Sequence, residues 1–385
     1  MLRVIKVRLY PNEEQKNLIH QTFGSCRFVY NNLLDAKIKA YECGDYLSIY
    51  DLKKRLVPMK KAKGGEFLKQ VDSTTLQNSI INMDKAYKNF FKKVKLGEKK
   101  GFPKFKSKHN SRQSYQTSTT SIKDNKLYLP KVGIVKTKFH RGDISSFKIK
   151  TVTVFFEANQ YYASINYEDG LKETIGSNNG KTIGIDVGVK VFAYLSNGKA
   201  INPSEEHNLD INIKKMIKAQ KSLSRKKKGS NNRLKAKQKL AKKYLKIKNK
   251  RDDFLHKVSN TLSENQTIKV EDLKIKNMSR KAKGSIENPN MKASAKSGLN
   301  RSILQQSWGN FFELLNYKLK RKGGELIKVN PKYTSQTCSV CGHISKENRL
   351  TQAKFECKKC GNKLNADLNA AVNISNAAGT VVKAS

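Results

Sequence analysis

Val4, Ile5, Val7 and Leu9 are interleaved with Arg and Lys over residues 1–10, which predicts a strand with a basic face, ended by Pro11. The period then changes. Leu18, Ile19, Phe23, Phe28, Val29 and Leu33 recur at helical spacing within 12–47 and form one broad apolar stripe. Leu52 to Val57 suggests another helix, and so do Leu76, Ile80, Met83, Tyr87, Phe90 and Phe91. From Tyr115 to Tyr167 short β-like runs take over: KLYLPKVGIVKTKF, FKIKTVTVFFEAN and YYASINYE. The N-terminal part therefore reads as β-strands into which a helical block is inserted.

The pattern changes again at Lys181. KTIGIDVGVKVFAYLSNGKAI reads as strand, tight turn and strand, with Asn197-Gly198 as the hairpin signal. Ile213, Met216, Ile217, Leu223, Leu234, Leu240, Leu245 and Ile247 predict an antiparallel helical hairpin over 211–251, turning at GSNN (229–232). QTIKVEDL (266–273) is a short buried strand ending in acids. Residues 276–298 read as a mobile surface segment. Ile303, Leu304, Trp308, Phe311, Phe312, Leu315 and Leu319 predict one helix over 299–323, stopped by Gly323-Gly324. ELIKVNP is a further strand.

A length of 385 residues suggests two or three domains. The decisive compositional fact is charge: 78 Lys and Arg against 31 Asp and Glu, a formal net charge of +47. Such a surface repels itself unless a polyanion neutralises it, so DNA or RNA is the expected partner. Residues 211–251 carry 18 Lys or Arg and no acid, whereas a merely soluble helix pair mixes both signs. From Lys92 to Asn110 lysines interleave with Phe102 and Phe105 in a Gly- and Pro-broken loop, a composition suited to phosphates and stacked bases, or to a solvated linker. No membrane association is expected. The N-terminus lacks an uninterrupted apolar core, and no run approaches the ~18 apolar residues of a bilayer span. Six dispersed or metal-spaced cysteines make no disulfide framework, which points to a reduced, cytoplasmic protein.

Cys338 and Cys341 form one C-x2-C pair and Cys357 and Cys360 another, with 15 residues between the pairs. This is the spacing of a zinc ribbon or knuckle, and Gly342 and Gly361 follow each pair where a tight turn is needed. Four thiolates leave zinc no open position, so the ion is structural. His343 is a neighbour rather than a ligand in this reading.

Three acids stand in apolar surroundings. Asp186 lies in TIGIDVGVKVF between Gly184 and Gly188, and Glu271 ends TIKVE. Asp367 opens the small-residue helix ADLNAAVNI. Each alone has an ordinary structural explanation: a satisfied turn Asp, a solvated strand end, a helix N-terminal acid. If they converge, hard carboxylate oxygens would hold two Mg2+ or Mn2+ ions for in-line phosphodiester hydrolysis, with Asp186 as shared ligand.

GIDVGVK (184–190), VEDL (270–273) and ADLNAAVNI (366–374), with the CSVCG…CKKCG insert before the last, resemble the three nuclease motifs of the TnpB family. This family is encoded by insertion sequences and related to type V CRISPR effectors. YTSQTCSVCG (333–342) and RFVYNNLL (27–34) extend the similarity over almost the whole chain. The resemblance implies a mixed α/β chain with a RuvC-like (ribonuclease H-like) nuclease domain over 181–336 and 362–385. Its inserted basic helical hairpin would span 211–260 and its zinc insert 337–361. An N-terminal β-barrel wedge domain (1–10 and 111–180) would carry a helical recognition lobe (11–110). It implies catalysis by Asp186, Glu271 and Asp367, a transposon-end guide RNA, and double-stranded target DNA with a short adjacent motif. A non-cutting RNA-guided regulator and a strand-transferring transposase are the alternatives.

Overall fold

The computed structural model describes residues 2–97, 101–109, 112–140, 142, 144–170, 178–203, 207–264, 266–282, 293–349 and 351–382. The chain divides into two compact units, Met1–Lys172 and Glu173–Ser385. No helix among the described residues is long and apolar enough to cross a membrane.

The first unit opens with β1 (Leu2–Tyr10), whose Ile5, Val7 and Leu9 are buried while Lys6 and Arg8 occupy the other face. Asn12 and Gln15 form a capping box that starts α1 (Glu13–Glu42). Short α2 (Ile49–Lys54) and α3 (Leu56–Lys61) lead to α4 (Ser73–Lys95), capped by Asp72. There follow β2 (Ser114–Thr117), β3 (Ser121–Lys123), β4 (Lys126–Leu129), β5 (Gly133–Lys138), β6 (Lys148–Glu157) and β7 (Gln160–Glu168). The strands form one antiparallel sheet in the order β2-β6-β7-β1-β5-β4-β3.

This sheet corrects the expectation of a β-barrel wedge. Its edges are β2 and β3, and no pairing among the described residues joins them, so the sheet stays open. The apolar face is covered in another way. Ile19, Phe23, Val29 and Leu33 of α1 and Leu76, Ile80 and Met83 of α4 share one core with Val7, Leu127, Val152 and Ile165 of the sheet. Helices that pack on the apolar face leave it no surface for closure to bury. The helical stripe also differs in detail: Phe28 is 39% exposed, while Leu34, not singled out by the period, is fully buried. Lys37 of α1 is buried and paired with buried Asp84 of α4, and Lys88 completes that carboxylate at 2.8 Å.

The second unit is mixed α/β. Its elements are β8 (Thr182–Val187), β9 (Ala193–Leu195), β10 (Ala200–Ile201), α5 (Asp210–Ser224), α6 (Asn231–Leu262), β11 (Thr267–Glu271), α7 (Ile275–Met278), α8 (Ala293–Gln306), α9 (Trp308–Arg321), β12 (Glu325–Val329), β13 (Lys354–Glu356), β14 (Lys363–Asn365), α10 (Ala366–Asn376) and β15 (Gly379–Val381). The main sheet runs β10-β9-β8-β11-β12-β15, with β8, β11 and β12 parallel at its centre. β13 and β14 form a separate hairpin.

Two sequence expectations change here. The single helix over 299–323 is two helices, broken at Ser307, whose φ of 55° is left-handed. The break lets Ile303 of α8 and Trp308, Phe311 and Leu315 of α9 all enter one core, and no Gly or Pro stands at the break itself, Gly309 following inside α9. Within the expected mobile segment, 276–278 and 293–298 are helical, while 283–292 lie outside the described residues. The basic hairpin forms with its turn near Ser230, the N-cap of α6. α5 buries no residue, and α6 buries none before Leu245, so the paired ends form an exposed, lysine-covered arm.

Candidate active site and metal centre

Asp186 and Glu271 sit at the carboxyl ends of the adjacent parallel strands β8 and β11. Open α/β sheets leave their binding crevice there. Asp367 comes from the first turn of α10, whose N-cap Asn365 accepts hydrogen bonds from the Asp367 and Leu368 N–H groups at 2.9 and 3.2 Å. α10 packs on β8 because Gly184 has no side chain. A Cβ there would press on the Ala371 carbonyl oxygen and lie 2.5 Å from Ser375 N. The glycine therefore sets how closely Asp367 can approach Asp186.

All three carboxylates line one cavity of about 380 Å³, together with Lys190, Tyr194 and Arg349. Burial, then the charges of Glu271 and Asp367, push the Asp186 carboxyl up to about 8, against partial relief from Arg349 and the Val187 N–H. Burial also raises Glu271, opposed by a hydrogen bond from Thr334 and by Arg349. Burial raises Asp367, again opposed by Arg349, whose guanidinium lies 3.3 Å from Asp367 Oδ1. The three carboxyls are thus raised by burial first, and Asp186 by the charges of the other two second.

Asp272, one residue past Glu271, turns to the other side, where Lys274 and Lys328 pair with it. Arg349 and Thr334 are the site residues that patterning missed. Arg349 stands between the cysteine pairs, and nothing distinguishes it among 78 basic residues. Thr334 donates to Glu271 from the segment just before Cys338.

The four cysteines come together as their spacing predicts. Among the described residues they are the one group of potential ligands whose atoms all lie within 4.8 Å of one another. Cys338 Sγ is 3.7 Å from Cys360 Sγ, and Cys341 Sγ is 3.5 Å from Cys357 Sγ, close to the ~3.8 Å edge of a tetrahedron of thiolates around zinc. Both knuckles are built alike. Gly342 N donates to Cys338 O at 3.0 Å and Gly361 N to Cys357 O at 2.9 Å, each glycine at positive φ. Burial works against ionisation of Cys357, but N–H groups of Cys360 and Lys359 bring its thiol down to about 6. His343 lies outside the group, and its backbone carbonyl accepts from Cys338 N. This is a candidate structural metal site.

The metal centre and α10 are tied together. Buried Asn369 donates to Thr337 O at 2.8 Å and accepts from Ser339 N at 3.0 Å. Asn373 donates to Thr334 O and Thr337 O at 2.9 and 2.7 Å. The cysteine loops therefore set the position of the Asp367 helix and carry Arg349 to the cavity.

Three family models match parts of the chain: "Cas12f1-like, TNB domain" over residues 308–374, "Probable transposase" over 164–282, and "Helix-turn-helix domain" over 1–45. In the last region the structure has a strand followed by the unbroken helix α1. A putative RNA-guided DNA endonuclease, InsQ, of Escherichia coli strain K12 is 38% identical, covering 100% of this chain and 94% of that protein. A putative RNA-guided DNA endonuclease of Streptomyces pristinaespiralis is 32% identical over 97% of this chain and 88% of its own length. A Cas12f1–sgRNA–target DNA complex solved by cryo-EM has the same fold at 16% identity, with a TM-score of 0.58 and coverage of 98% of this chain and 99% of that one.

Proposed function

The chain belongs to the TnpB/Cas12f family of transposon-encoded RNA-guided nucleases, and from that premise we propose that it cuts guide-matched DNA by phosphodiester hydrolysis at Asp186, Glu271 and Asp367. One observation carries the assignment: β8, β11 and α10 each contribute a carboxylate to the same cavity. The donor set fits Mg2+ or Mn2+. It consists of hard oxygens, and the Asp186 carboxyl, raised by burial and then by its two acidic neighbours, is one that a bound cation would ionise. Bound there, such ions supply Lewis-acid stabilisation of the phosphate and an activated water.

The chain's own groups do the positioning. Asp186, the one of the three that feels the charges of both others, would be the ligand shared between ions. Thr334 fixes the Glu271 carboxylate, and Arg349 fixes Asp367 while keeping a guanidinium beside the space for the scissile phosphate. Zinc on Cys338, Cys341, Cys357 and Cys360 is structural, because four thiolates close its coordination. Residues 181–336 and 362–385 form the nuclease domain in this reading. The basic arm of α5 and α6 engages nucleic-acid backbone through charge. The partners are a guide RNA from the transposon end and duplex DNA bearing a short adjacent motif, encountered in the cytoplasm.

Single-turnover cleavage by the RNA-loaded protein tests the assignment, using a plasmid library with a randomised target flank. Asp186→Ala, Glu271→Gln and Asp367→Asn should each abolish cutting while guide and target binding persist. Free DNA ends are expected. Undiminished cutting by any of the three would remove that residue from the site, and a covalent protein–DNA product would replace hydrolysis with strand transfer.

A further inference from the structure

In the basic loop after α4, the described stretch 102–108 is tied to the helices beside it and to Gln113. Phe102 packs edge-on against Tyr87 and Phe90, with ring centroids 5.4 and 5.1 Å apart. Four residues on, the Asn31 side chain grips the backbone of Lys106 at both ends. Nδ2 donates to Lys106 O at 2.9 Å, and Oδ1 accepts from Lys106 N at 2.8 Å. The Lys106 ammonium lies 3.9 Å from the Tyr30 ring centroid. Beyond that, Gln113 Nε2 donates to Lys108 O at 3.1 Å. A solvated spacer needs none of these ties.

Between the anchors at Phe102 and Lys106 stands Phe105, 55% exposed. Lys104, Lys108 and His109, its neighbours in sequence, are exposed as well. An exposed apolar ring on a tied backbone, with exposed lysines one residue before and three after it, suits a partner with a flat π-face and flanking negative charge. A nucleobase in a phosphodiester strand has both features. An apolar protein surface would leave the lysines unpaired.

We propose that Phe105 is a stacking platform for a nucleobase of the bound nucleic acid, with Lys104 and Lys108 on the adjoining phosphates. This rests on the RNA-guided reading only for the identity of the strand, which is either guide RNA or target DNA. The chain has one tryptophan, Trp308, and it is 3% exposed, so a Phe105→Trp variant carries a separable fluorescent reporter. The full chain would be co-expressed with the DNA flanking its gene and purified with its RNA. Emission from the introduced tryptophan should be quenched in that complex and recover on ribonuclease digestion, which identifies RNA. Quenching only after a guide-matched DNA duplex is added identifies DNA. Phe105→Ala should weaken binding of the same strand roughly 5- to 150-fold, the range of one lost base stack, and Phe105→Tyr should restore it. Emission identical in free, RNA-bound and DNA-bound protein would overturn the proposal, as would wild-type affinity of Phe105→Ala for both strands. Cutting by the unaltered chain is measured in the same preparations. Quenching without Asp186-dependent cutting would sink the nuclease assignment and leave the platform standing.

Discussion

Gly184→Ala should disable the site from a position that does not line it. The added Cβ would press on Ala371 O and lie 2.5 Å from Ser375 N and 3.0 Å from Ser375 Cα. All are backbone atoms of α10, so no rotamer change relieves the overlap. Ordinary contact begins at 3.4 Å. α10 must therefore retreat from β8 by about 1 Å, or β8 must bend, at the usual overpacking cost of about 1–3 kcal/mol. Asp367 rides on the first turn of that helix and moves with it away from Asp186. A displacement of about 1 Å in a catalytic group typically costs about 100-fold in rate. Single-turnover cleavage at saturating divalent metal should fall by that order, with guide binding unchanged. The melting temperature should drop by roughly 2–12 °C. Gly298→Ala is the control, since nothing lies within 4 Å of a Cβ there and the site is helical. If Gly184→Ala cuts within a few-fold of the wild-type rate, the claim that α10 contact positions Asp367 is wrong.

Three further outcomes follow from the same geometry. The folded Asp186 carboxyl titrates at about 8, above the 3.8 of a free carboxyl, so the metal-free folded chain holds a proton that the unfolded chain releases. The resulting stability is complete below about pH 4 and is lost as pH rises towards 8. Thermal melts without divalent metal should show that decline, and Asp186→Asn should flatten it and melt higher at pH 8. Arg349→Ala should slow cutting by about 100-fold, the scale of one lost charge-stabilising donor, with guide affinity unchanged in a binding assay. Cys357→Ser should lose zinc by elemental analysis, and cleavage should fall with zinc content because the cysteine loops hold both Arg349 and α10.

The sequence makes some of this legible and hides the rest for physical reasons. The cysteine site is local: each C-x2-C-G knuckle closes on its own backbone, so spacing alone predicts it. The carboxylates are not local. Asp186 and Glu271 meet only through the parallel pairing of β8 and β11, which no short-range pattern encodes, and it was the family motifs that grouped them with Asp367. Arg349 was invisible because one arginine in a basic chain carries no signal until the fold aims it. The strand pattern of the first unit was readable, but closure was not. Whether a sheet curls into a barrel depends on what covers its apolar face, and here α1 and α4 cover it. The break at Ser307 is hidden in the sequence because the apolar period runs through it; only packing in three dimensions turns the chain there.

The central claim is that Asp186, Glu271 and Asp367 together hold the divalent metal that cuts DNA. The most direct test counts tightly bound Mn2+ by electron paramagnetic resonance in the complex loaded with guide and target, comparing the unaltered chain with Asp186→Asn. The substitution should remove the tight Mn2+ signal and the cutting together, while zinc content stays the same. Retention of both tight Mn2+ and cutting by Asp186→Asn would contradict it.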